Sequence, residues 1–165
     1  MPHVHHFMYR TSVETLAKVV SWDAALSRDT IGYEIGPHTD ARTKLVSMLY
    51  YLPKNHKVSP KSGTYVLRSR TGQVQQGHSK RCNFGRDFAT LKQVKFAPNS
   101  VFAFAPCYSS WHAVRRVDSS EPRDTIQAFL KDARPKALRI LKGRCPGTRA
   151  IATAKGNLRP CTSVG

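Results

Sequence analysis

The stretch Gly32–Asp40 reads GYEIGPHTD and places His38 and Asp40 on either side of a single threonine. Residues Thr30–Ile35 are partly β-branched and aromatic, which predicts a short strand. The pair Gly36-Pro37 is expected to break that strand and to present the next residues at its end. Because side chains at i and i+2 of an extended chain point the same way, the imidazole and the carboxylate should converge on one point.

One imidazole and one carboxylate, joined by a second imidazole, form the facial triad that holds non-haem Fe(II) and leaves positions open for a cosubstrate and dioxygen. An HxD triplet is also common in solvated turns, so its interpretation depends on the downstream sequence. There the chain reads SWHA over Ser110–Ala113, after an apolar run, and then Arg123-Asp124-Thr125.

Six segments follow one another along the chain: HTD, KLVSMLYYLP, SGTYVL, PNSVFAFAP, SWHAV and PRDT. Together and in this order they resemble the Fe(II)/2-oxoglutarate-dependent oxygenase superfamily, most of all its prolyl-hydroxylase-like branch. The resemblance spans roughly Asp29–Leu130. It implies a mainly β fold, the double-stranded β-helix, which is a jelly-roll or cupin-like barrel of eight strands.

The resemblance implies that His38, Asp40 and His112 hold Fe(II). It assigns Arg123 and Thr125, which share one strand face by their i+2 spacing, to the distal carboxylate of 2-oxoglutarate. A guanidinium matches two carboxylate oxygens with parallel hydrogen bonds, and a hydroxyl adds a third. Two further arginines compete by residue type, although they lie on or next to the ligand strand: Arg115 and Arg116.

The implied reaction is that of a dioxygenase, which consumes 2-oxoglutarate and O2, releases succinate and CO2, and hydroxylates a substrate, with ascorbate as an optional reductant. A carboxylate at Asp40 argues against the halogenase variant, which vacates that position for chloride. The substrate, a small molecule or a side chain, cannot be identified from the sequence. Tyr50, Tyr51 and Tyr65 are candidates to line its pocket, although aromatic residues on barrel strands more often pack in a core.

The chain has 165 residues, which suits one domain, and its 27 Lys and Arg against 10 Asp and Glu give a net charge of +17. Such an excess suggests nucleic acid or another polyanion as a partner. Nine of the basic residues fall in 131–165, so the tail is the candidate contact, and the core shows one basic cluster: Lys80, Arg81 and Arg86.

The spacing of the cysteines and the lengths of the apolar runs predict the cellular compartment of the protein. The four cysteines show neither CxxC spacing nor disulfide-scaffold density, which predicts free thiols in a reducing compartment: Cys82, Cys107, Cys145 and Cys161. No run reaches the length of a membrane span, and the N-terminus lacks the apolar stretch of a signal peptide. The protein is therefore expected to be soluble and cytoplasmic.

Three regions are predicted: an N-terminal tail and supporting helix over 1–28, the oxygenase core over 29–130, and a basic tail over 131–165. Thr11 and Glu14 form a capping box, and apolar spacing predicts a helix up to about Leu26. The tail is expected to be disordered beyond Gly143. The core is predicted to hold seven short strands: 30–35, 44–52, 63–68, 91–96, 100–105, 111–117 and 123–130.

Two other functions remain open at this point. The first is a catalytically incomplete or truncated barrel of the same family, because 28 residues are few for the family's N-terminal support. Strands that precede Thr30 and complete the barrel would argue against it. The second is a basic nucleic-acid-binding β-protein, which would need a contiguous basic face with exposed aromatic residues.

Overall fold

The computed structural model describes residues 20–41, 43–54, 59–72 and 87–132. This part of the chain is mainly β, and its one helical element is a 3-10 turn at Pro60–Ser62. The strands, in chain order, are β1 (Val20–Asp29), β2 (Ile35–His38), β3 (Lys44–Tyr51), β4 (Thr64–Ser69), β5 (Phe88–Val94), β6 (Ser100–Phe104), β7 (His112–Val114) and β8 (Arg123–Asp132).

The strands form two antiparallel sheets of four. Sheet A has the order β1-β8-β3-β6, and sheet B has the order β2-β7-β4-β5. Most consecutive strands lie in different sheets, so the chain passes repeatedly from one layer to the other. This architecture is consistent with a β-sandwich.

The predicted strands over 44–52, 63–68, 100–105 and 123–130 are confirmed with small changes at their ends. The first one is misplaced, because Gly32 forms a turn with φ of 89° and β2 begins only at Ile35. Pro37 lies inside β2 rather than ending it. An edge strand tolerates a missing N–H, and β2 is the edge of sheet B with an irregular register between Ile35 and His38.

The predicted N-terminal helix is wrong over residues 20–26, which belong to β1. All ten residues of β1 pair with β8, from Val20 opposite Asp132 to Asp29 opposite Arg123. Apolar residues at Trp22, Ala24 and Leu26 fit the two-residue period of a strand as well as a helical one, and pairing with β8 decides between them. The capping box lies outside the described residues. A strand therefore precedes Thr30.

Packing on the outer side of sheet B explains the position of Trp111. Its side chain is buried and lies 4.8 Å, centroid to centroid, from the ring of Phe88. Trp111 thus points away from its neighbour His112, as the alternation along a strand requires. Where sheet B starts, Gly63 allows a close approach, because a Cβ there would lie 1.7 Å from the carbonyl oxygen of Val94.

Cys107 takes part in a disulfide bond. The prediction of free thiols is therefore wrong at this position, since sequence spacing says nothing about which cysteines meet in space.

The described part of the chain contains no helix that is long and apolar enough to cross a membrane. Most of the basic tail, 133–165, also lies outside the described part, as does the basic cluster of residues 80, 81 and 86.

Candidate metal centre

Three side chains that could hold a metal ion meet between the two sheets. His38 ends β2, Asp40 follows two residues later, and His112 begins β7 directly opposite His38 in the register. One ligand atom of each lies within 4.8 Å of the other two, and all three residues are buried. The imidazole ring centroids are 4.3 Å apart. The structure therefore brings together the three residues proposed as ligands.

Both imidazoles are oriented by backbone carbonyl groups. The Nδ1 atom of His38 lies 2.9 Å from the carbonyl oxygen of Gly36, and the Nδ1 of His112 lies 2.9 Å from that of Ser110. A carbonyl oxygen only accepts hydrogen bonds, so each Nδ1 carries the proton. In its neutral form each ring then has its lone pair on Nε2, which is the tautomer that a metal ligand requires.

Asp40 is ionised and held in place by two donors. The ammonium of Lys44 donates to Oδ1 at 2.6 Å, and the hydroxyl of Ser47 donates to Oδ2 at 2.5 Å. Burial acts to raise the pKa of Asp40, but the charges of His112 and Lys44 and the two hydrogen bonds outweigh it and lower the pKa below 3.8. Asp40 is therefore in the ionised form that a metal ligand requires.

Lys44 reaches this position through a bulge in β3. Lys44 pairs with Lys131 and Val46 pairs with Leu130, so residue 45 is an extra residue on β3. In a regular strand Lys44 would share the outer face with Val46; the bulge turns it inward, to the face of Ser47. The sequence interpretation missed both residues because Lys44–Tyr51 reads as an apolar strand. Two polar residues within that apolar run are the signal that could have found them.

Arg123 lines the same cavity, which has a volume of about 100 Å³. Its Nη1 donates to Oδ2 of Asp29 at 2.6 Å and its Nε donates to the carbonyl oxygen of Ser62 at 2.7 Å. Both charged side chains are 3% exposed. Among the described residues, no hydrogen bond uses Nη2, so part of the guanidinium fork is left for a ligand. Asp29 is a further site residue that the sequence did not indicate.

Thr125 lies on the inward face of β8, two residues after Arg123, and is fully buried. Its Oγ1 has no hydrogen-bond partner within the described structure. A buried hydroxyl without a partner is uncommon and needs a reason, such as a water or a ligand. Thr125 is not among the residues that line the cavity, so the structure places Arg123 in the cavity wall and does not place Thr125 there.

The three tyrosines suggested for a substrate pocket do not line this cavity. Tyr50 is 42% exposed on the outer face of sheet A, because strand alternation turns it away from its neighbour Tyr51. Tyr51 is buried between the sheets, where its hydroxyl donates to Oγ1 of Thr64 at 2.7 Å. Tyr65 belongs to the buried cluster around Trp111.

The competing arginines also lie elsewhere. Arg115 is exposed and stacks over the ring of Tyr65, with its Cζ 4.9 Å from the ring centroid. The next residue, Arg116, is also exposed. Within the described part of the chain, the arginine of the cavity is therefore Arg123, and its companion cation is Lys44. A polyanionic partner for the basic tail stays a prediction.

Comparison with known proteins gives little beyond the site itself. No protein-family model matches the sequence, and no curated protein matches it. A crystal structure of a Pseudomonas putida prolyl-4-hydroxylase is similar, with a TM-score of 0.43 and 14% sequence identity, over 72% of this chain and 56% of that one. The chain thus spans little more than half of that hydroxylase.

Proposed function

We propose that this protein is an Fe(II)- and 2-oxoglutarate-dependent oxygenase that hydroxylates an unidentified substrate. The observation that carries the proposal is the meeting of His38, Asp40 and His112, buried and with ligand atoms within 4.8 Å of one another. Two imidazoles and one carboxylate are the ligand set of non-haem Fe(II) oxygenases, whereas structural zinc sites add a fourth protein ligand. The described residues offer no fourth histidine, cysteine or carboxylate in this group.

We also propose that the two sheets form a double-stranded β-helix. The orders β1-β8-β3-β6 and β2-β7-β4-β5 agree with a jelly roll, in which the chain alternates between two four-stranded antiparallel sheets. With β1 in place before Thr30, each sheet has four strands. This count argues against an incomplete barrel as the alternative.

The residues around the triad suit a small dianionic cosubstrate. Iron, when bound, would supply the site at which dioxygen is activated, and His38, Asp40 and His112 would fix its position. Arg123 would bind the distal carboxylate of 2-oxoglutarate through Nη2 while Asp29 holds the other arm of the guanidinium. The unpartnered Oγ1 of Thr125 supports this assignment, because a carboxylate reaching Arg123 would bring an acceptor near that hydroxyl.

The rest of the cavity wall excludes water and orients the triad. Leu49, Phe104 and Val114 contribute apolar surface, and the ring of Phe104 meets the edge of His112 at a centroid distance of 4.8 Å. Apolar contacts of this kind lower the local dielectric and strengthen the charge interactions of the site.

The test is a titration of 2-oxoglutarate into the anaerobic Fe(II) protein, followed by the metal-to-ligand charge-transfer absorption. The wild-type protein should develop the band, and His112→Ala should not, because it lacks a ligand. Arg123→Lys keeps the charge but loses the fork, so it should weaken 2-oxoglutarate binding roughly thirtyfold, or about 2 kcal/mol, while metal binding is unchanged.

Arg115→Lys is the matched control, since Arg115 is exposed and does not line the cavity. It should titrate like the wild type. Absence of the band in folded, iron-loaded wild-type protein would refute the proposed function. A wild-type titration by Arg123→Lys together with a weakened Arg115→Lys would show that the cosubstrate lies elsewhere.

A further inference from the structure

Lys44 places a buried positive charge beside the carboxylate of the triad. Its Nζ lies 2.6 Å from Oδ1 of Asp40 and 3.5 Å from the ring centroid of Phe129, and the residue is 8% exposed. The triad does not need this ammonium in order to bind a metal. A cation at this point acts against a second cation, because like charges at a few ångströms repel strongly in a low-dielectric interior. The bulge at residue 45 nevertheless directs Lys44 to it.

We propose that Lys44 is an internal counter-ion that stands in for the metal in the metal-free protein and lowers the affinity of the site for divalent ions. The inference rests on the metal site of the proposed function and on nothing about the reaction. A buried carboxylate with no cation is unstable, so Asp40 needs a positive neighbour before metal arrives. Lys44 supplies it through a direct hydrogen bond even when His112 is in the neutral form that binds metal, and the triad can stay assembled without a metal ion.

Metal binding then has to overcome that arrangement. Both oxygens of Asp40 are already engaged, one by Lys44 and the other by Ser47. A divalent ion at Asp40 would either displace the ammonium from Oδ1 or share the carboxylate with it. Both routes cost free energy that a neutral side chain of the same length would not cost. Lys44 therefore favours a site that binds metal reversibly over one that retains it.

The test is the affinity for zinc, a redox-inert probe, measured by competition with a chromophoric chelator. Lys44→Met has nearly the same length and no charge, so it should bind zinc at least about tenfold more tightly than the wild type. Lys44→Arg keeps the charge and should stay within about threefold. Lys131→Met is the matched control, because Lys131 also lies near the Phe129 ring but is bonded to Asp23. It should not change the affinity.

The outcomes separate this inference from the proposed function. If zinc binding depends on His112 in the wild type and in Lys44→Met, and Lys44→Met binds zinc with equal or weaker affinity, the inference is overturned and the proposed function is not. If neither the wild type nor Lys44→Met binds zinc through His112, the inference and the proposed function are both overturned. Tighter binding in Lys44→Met, or binding only in that variant, supports the inference.

A second measurement needs no loss of the lysine. In wild-type protein labelled with ¹⁵N-lysine, the Lys44 ammonium should give a slowly exchanging NMR signal without metal, because it is buried and hydrogen-bonded. Lys44→Arg assigns that signal by its disappearance. The signal should shift or vanish when zinc is added. An unchanged Lys44 signal in the zinc-saturated protein would contradict displacement or sharing, and would overturn the inference even if Lys44→Met did not fold.

Discussion

Replacing Asp29 by asparagine removes the carboxylate that neutralises Arg123 inside the molecule. Both side chains are 3% exposed, and their bond is 2.6 Å long. Breaking a buried ion pair from one side costs about 3–5 kcal/mol, because a charge is left in the interior without its partner. The amide oxygen of Asn can still accept from Nη1, and Arg123 keeps the Ser62 carbonyl. We therefore expect Asp29→Asn to lower the free energy of unfolding by about 3 kcal/mol, at the lower end of that range.

The neighbouring pair on the same two strands provides the control. Arg28 pairs with Asp124 one register position away, with side chains 68% and 21% exposed. An exposed pair contributes about 0–1 kcal/mol, so Asp124→Asn should cost no more than that. The assay is urea unfolding of metal-free protein followed by tryptophan fluorescence. Equal losses in the two variants would refute the view that burial of the Arg123 pair decides its effect.

Two further substitutions test the packing that holds the site. Gly63→Ala would place a Cβ 1.7 Å from the Val94 carbonyl oxygen, so the backbone must shift; we expect a loss of about 3 kcal/mol by urea unfolding, and a loss under about 0.5 kcal/mol would contradict the contact. Tyr51→Phe removes the hydrogen bond to Thr64 and should cost about 1 kcal/mol at pH 7. Burial raises the pKa of Tyr51 above 10.0, so its contribution is complete below pH 10.0 and is lost as pH rises through the folded value. From pH 9 upward, the free energy of unfolding should therefore fall less steeply with pH in Tyr51→Phe than in the wild type. Identical slopes of this free energy against pH would contradict the role given to Tyr51.

The strands that alternate cleanly or are bounded by turn residues could be predicted from the sequence. Residues 44–51, 100–104 and 123–130 are of this kind, and the HxD spacing indicated that His38 and Asp40 belong to one site. β1 could not be separated from a helix, because Trp22 and Leu26 satisfy a period of two and a period near four. Its partner strand, more than ninety residues away, decides the outcome.

The charged surroundings of the site were less predictable than its ligands. Lys44 faces inward only because residue 45 is extra in the register, and a bulge leaves no clear mark in a single sequence. Asp29 meets Arg123 through the pairing of the first and last described strands. Spacing along the chain placed Arg123 and Thr125 on one face, but it could not show which acceptor Arg123 already holds.

The position of β8 in sheet A has a consequence for biosynthesis. β1 is the first described strand and β8 the last, and β8 lies between β1 and β3. Sheet A cannot assemble in the order in which the ribosome delivers it, since β1 has to wait for residues 123–132. Contacts this distant in sequence slow folding, and strands that wait unpaired are prone to aggregate. With Trp22 and Leu26 exposed on β1, we expect the nascent chain to depend on chaperones until its last described strand is released.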